Sequence, residues 1–74
     1  MSGGTALLLA EARKQVRSGE ARELRLRARL SLAELANEIG VNASTLLRWE
    51  GGRRQPSGVP AVRYARLLRE LASQ

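Results

Sequence analysis

The segment from Leu32 to Gly51 constrains the fold more than any other part of the chain. Leu35, Ala36 and Ile39 fall at helical spacing, and so do Leu46 and Trp49 beyond the short turn Gly40-Val41-Asn42. Ser31 is a good N-cap for a helix over 32–39, and Glu34 at its third position completes a capping box. Gly40, just past Ile39, supplies the left-handed backbone that so tight a turn requires. Asn42 caps a second helix over 43–50. Helices joined this closely cross steeply and need a small side chain at closest approach, which Ala36 provides. Val41 plugs the corner, with Leu35, Ile39, Leu46 and Trp49 beneath it. Asn42, Ala43, Ser44, Leu47 and Arg48 then face outward, small at the helix start with one long cation further along.

The remaining segments are predicted to be helical as well. Met1-Ser2-Gly3-Gly4 is expected to be disordered. Thr5 caps a helix to about Arg17, with Leu8, Leu9, Ala12 and Val16 on one stripe and Arg13, Lys14 and Arg17 elsewhere. Ser18 caps a helix from Gly19 to about Ala28, which places Ala21, Leu24 and Ala28 inward beside a basic row of Arg22, Arg25 and Arg29. Residues 51–58 carry three glycines and a proline and read as a loop. A last helix runs from about Val59 to Ala72, with Pro60 in its first turn, an inner stripe of Ala61, Ala65, Leu68 and Ala72, and Val62, Tyr64 and Leu71 flanking it. No segment alternates with period two, so the fold class is all-α, a compact bundle of about five short helices.

Composition removes several classes of function. The 74 residues include no Cys and no His. That excludes disulfides, thiol nucleophiles, zinc-thiolate sites, imidazole bases and two-His metal sites. Two aromatics, Trp49 and Tyr64, cannot build a stacking platform for single strands. No catalysis, cofactor, metal or small-molecule ligand is therefore expected. Lys and Arg number 13 against 7 acids, a net charge of +6, and all the cations but Lys14 are Arg. This excess points to an anionic partner, nucleic acid ahead of a membrane surface. The apolar run Ala6 to Ala10 is too short for a signal sequence or a membrane span. The absence of Cys fits a reducing compartment, so a cytoplasmic protein is expected.

The outward residues and their surroundings resemble the Cro/CI-like (XRE) family of helix-turn-helix DNA-binding domains. The resemblance runs from Ala21 to Ser57 and weakly on to Leu71. It rests on Ala21 to Arg25, Leu30-Ser31, Glu34-Leu35-Ala36, Ile39-Gly40-Val41, Ser44-Thr45-Leu46, Arg48-Trp49-Glu50, Gly52-Arg53-Arg54 and Pro56-Ser57. It implies a lambda-repressor-like bundle in which the helix over 43–50 enters the major groove of double-stranded DNA. Asn42, Ala43, Ser44 and Arg48 would occupy base-reading positions. Ser31 and Thr45 would touch phosphate, and Arg53 and Arg54 would hold the backbone. Arg25 and Glu50 would form a partly buried ion pair. Two positions depart from the family pattern. Leu32 stands where Gln is common, and Ala43 where a long polar reader is common. Ala43 and Leu47 are suited to apolar contact with thymine methyls, which leaves Arg48 as the main candidate for reading guanine.

Each of these side chains also has a plainer role. Ser31 and Asn42 serve as caps whether or not DNA is present, Trp49 belongs to the core, and Arg63, Arg66 and Arg69 suit a solvated face. On this reading residues 1–17 are an N-terminal extension with one amphipathic helix, and 18–74 are the DNA-binding domain, with its motif at 32–51. The extension's Leu7, Leu8 and Leu9 either complete the core or form a homodimer interface. The implied function is a small transcriptional regulator of phage-repressor or Cro type, in a bacterial or phage-infected cell. An antitoxin or an excisionase-like architectural factor are the alternatives.

Overall fold

The computed structural model describes residues 2–74. Its elements are α1 (Ser2–Ser18), α2 (Glu20–Arg27), α3 (Leu32–Ile39), α4 (Ala43–Glu50) and α5 (Gly58–Ala72), with no strand among the described residues. None of these helices is long and apolar enough to cross a membrane.

The central motif follows its local signals. Ser31 Oγ accepts from the Glu34 amide at 3.0 Å, while the Glu34 carboxylate accepts from the Ser31 amide at 2.9 Å. Gly40 stops α3 at φ 84°, and its amide and that of Val41 both donate to the Ala36 carbonyl. Asn42 caps α4 through Oδ1, which accepts from the Thr45 amide at 2.8 Å.

The first two helices differ from expectation. α1 begins at Ser2, so Ser2, Gly3 and Gly4 are helical and Thr5 is an interior residue; Met1 lies outside the described residues. Once packing anchors a helix, each further residue adds a hydrogen bond without a new nucleation cost, and the glycines weaken this extension without stopping it. Ser18 ends α1, and the N-cap of α2 is Gly19 at φ 86°, because the reversal between the helices needs a left-handed residue. The Ser18 hydroxyl still accepts from the Glu20 amide at 3.3 Å and donates to the Gln15 carbonyl. The basic row expected of Arg22, Arg25 and Arg29 does not form. Arg25 turns inward, and Arg29 takes the left-handed conformation, φ 58°, in the turn that closes α2.

One core joins all five helices. Leu8, Ala12 and Val16 of α1 meet Ala21 and Leu24 of α2, Leu35, Ala36 and Ile39 of α3, Leu46 and Trp49 of α4, and Ala61, Tyr64, Ala65 and Leu68 of α5. α1 packs along α5 and α2, while α3 packs against α4 and α5. The α1 stripe therefore completes the core, with Leu9 half-buried against it and Leu7 exposed. Tyr64, expected at the flank, is fully buried, and its ring centroid lies 5.5 Å from that of Trp49. Burial pushes its phenol well above the ordinary range, helped by Glu50 and opposed by Arg25. Ala72, expected inside, is exposed, and Ala28 is only half-buried. At this end the bundle opens into a cleft between Leu24, Ala28 and Leu71, which leaves the stripe uncovered among the described residues.

Candidate nucleic-acid interface

The outer face of α4 carries no negative charge. Its one acid, Glu50, turns inward and binds Arg25 of α2 in a forked pair, Nε to Oε2 at 2.6 Å and Nη2 to Oε1 at 3.0 Å. The Arg25 Nη1 also donates to the Leu30 carbonyl at 2.8 Å, which the left-handed turn at Arg29 brings into reach. The two side chains are only 8% and 3% exposed. Donating to the Glu50 carboxylate raises the pKa of Arg25 against the opposing effect of burial, so the guanidinium stays charged. The pair expected from the family resemblance is thus present. It fastens the end of α4 to α2 while hiding the one carboxylate that α4 carries.

The exposed residues of α4 form a mixed polar and apolar surface. Asn42, Ser44, Leu47 and Arg48 are exposed, and Ala43 and Thr45 are half-buried. Ser44 and Arg48 share one face at a separation of four, as do Ala43 and Leu47. The orientation of the Asn42 amide is forced, because the Thr45 N–H can only donate and so must face Oδ1. Ser44 Oγ donates to the same oxygen at 2.7 Å. The Asn42 NH2 is left pointing away as a donor, and Ser44 presents the lone pairs of a hydroxyl whose proton is already used. Adjacent side chains thereby offer opposite hydrogen-bonding character to whatever approaches the helix start.

The loop beyond α4 is held from both sides. The Gly51 amide donates to Leu47, and the amides of Arg53 and Arg54 donate to the Arg48 carbonyl at 2.9 and 3.3 Å, with Gly52 at φ 73° making the bend. Pro56 is fully buried, and its carbonyl accepts from Arg13 Nε and Nη2 of α1 at 3.4 and 3.2 Å. Arg53 and Arg54 extend from this fixed loop into solvent. The structure therefore brings Asn42, Ala43, Ser44, Thr45, Leu47, Arg48, Arg53 and Arg54 together along α4 and its exit. Ser31 stands apart at the far end of α3 from the turn, about 12 Å along the helix axis. Its oxygen is committed to the cap of α3.

The sequence carries no signal for two of the side-chain placements around the loop and α1. Arg13 and Pro56 are 43 positions apart, too far for any local periodicity to link them. Gln15 is buried between the stripe positions Ala12 and Val16, and an amide side chain there carries no inward signal.

A five-helix bundle that presents a short helix with an acid-free outer face behind a tight glycine turn has the form of a helix-turn-helix DNA-binding domain. Comparison with known families agrees, since the family model described as helix-turn-helix domain matches residues 18–72. The chain belongs to this helix-turn-helix family, in its XRE/Cro-like type. No curated protein and no solved structure matches it.

Proposed function

We propose that the protein binds double-stranded DNA sequence-specifically as a small transcriptional regulator of repressor or Cro type, with α4 in the major groove. The observation that carries this reading is the outer face of α4, stripped of negative charge by the Arg25–Glu50 pair and edged by Arg53 and Arg54. A major groove about 12 Å wide admits such a helix. Arg48 has the reach and the fork to bind guanine O6 and N7, and Leu47 and Ala43 offer apolar contact to thymine methyls. The Asn42 NH2 suits a base acceptor or a phosphate oxygen. Ser44 suits an exocyclic amino group. Ser31, Thr45, Arg53 and Arg54 contact the backbone, which fixes register without carrying sequence information. The protein acts by occupying its site and not by catalysis, and its place is the bacterial cytoplasm, where that DNA lies.

Selection of bound duplexes from a random pool tests this directly. The expected result is an enriched consensus with a position of strong guanine preference. A palindromic consensus with half-sites about 34 Å apart would identify a homodimer, and a single asymmetric site a monomer. Failure to enrich any sequence would contradict sequence-specific binding.

A further inference from the structure

α1 and the loop after α4 meet in a cleft with a cationic lining. Arg13 and Arg17 of α1 face Arg54, Gln55 and Pro56 of the loop, and no carboxylate lines the space between them. Arg13 is half-buried and directs its fork at the Pro56 carbonyl, so it acts as a pin. The heads of Arg17 and Arg54 are exposed and unpinned by any ion pair among the described residues. Like charges lining one cleft repel one another, and an anion seated between them relieves that repulsion. A phosphodiester is an anion that guanidinium groups match through two parallel N–H···O bonds, and it is the one that the DNA-binding reading supplies. The loop's amides are bonded to the last turn of α4, so the cleft lies beside the exit of the helix that the proposed function places in the groove.

Building on the DNA-binding reading, we propose that the cleft takes a backbone phosphate, with Arg17 and Arg54 as its ligands. All of α1 but Ser18 lies outside the matched residues 18–72, yet through Arg17 it becomes part of the DNA interface. The contact adds affinity and no sequence preference.

The test measures binding of the full chain to its selected duplex and to a random-sequence duplex of equal length, across a range of NaCl concentrations. Arg17→Ala is expected to lower the slope of log affinity against log salt by about 0.9. That corresponds to a loss of about five-fold on both duplexes near 0.15 M salt. Arg66→Ala, which removes an exposed cation of α5 from a different cleft, is expected to leave the slope unchanged. An unaltered slope in Arg17→Ala, with the wild-type chain bound to DNA, would overturn the phosphate site and leave the DNA reading intact. An equal drop in Arg66→Ala would reduce the effect to net charge and overturn it as well. A wild-type chain that binds neither duplex would remove the DNA reading itself, and the site with it.

Discussion

Glu50→Gln tests how the recognition helix is held in place. The substitution preserves shape but removes the charge facing Arg25, whose side chain is 8% exposed. The guanidinium keeps its bond to the Leu30 carbonyl but loses its ionic partner. Removing one member of a buried pair costs about 3–5 kcal/mol, mostly because the other charge stays behind in the protein. The surviving bond to Leu30 places the expected loss at the low end, about 3 kcal/mol. A domain of this size has total stability of only about 4–11 kcal/mol. The melting temperature should therefore fall by about 12–24 °C, taking 4–8 °C per kcal/mol for small domains. Thermal and urea denaturation followed by circular dichroism measure the loss. The double variant Arg25→Met/Glu50→Gln removes the stranded charge and should recover much of it, giving strong coupling in a double-mutant cycle. A loss below about 1 kcal/mol would be the behaviour of a surface pair and would refute the reasoning, as would additive single and double variants.

Three other outcomes concern stability. Leu46→Ala empties a fully buried position at the base of α4 and should cost about 2–5 kcal/mol by chemical denaturation. Gly40→Ala places a side chain at φ 84°, where its Cβ meets only the flexible end of Arg63 at 3.0 Å; backbone strain alone should cost about 1–2 kcal/mol, read by thermal melting. The Ser31 amide, and secondly its hydroxyl, hold the Glu34 carboxyl below its ordinary value of 4.5. A lowered folded-state pKa stabilises above the unfolded value, and that stability disappears as pH falls through the folded one. Denaturation midpoints measured from pH 6 downward should thus show an acid limb below about 4.5 that is shallower in Glu34→Gln.

Legibility in the sequence tracked how local each interaction is. α3 and α4 could be bounded to the residue because Ser31, Glu34, Gly40 and Asn42 act within one helical turn of where they stand. The turn at Ser18-Gly19 was less legible, since serine caps and left-handed glycines both mark helix boundaries and only the backbone shows which residue reverses the chain. The full burial of Tyr64 depends on where α5 lies against Trp49, a tertiary fact. The same holds for Arg13 beneath Pro56 and for the cleft that pairs Arg17 with Arg54. Within the candidate site, the outward face of α4 followed from helical period alone. The opposed donor and acceptor character of Asn42 and Ser44 did not, because it depends on which hydrogen bonds the cap consumes.

The central claim is that α4 reads DNA, and Arg48→Ala tests it most directly. Affinity is measured for the selected duplex, for single-base variants of it and for random sequence, at one fixed salt concentration. The account predicts a loss of about 1–3 kcal/mol on the selected duplex, with preference relaxed at one base pair and random-sequence binding weakened less. An equal loss on every duplex would make Arg48 a backbone contact, and no loss on any would place α4 outside the groove.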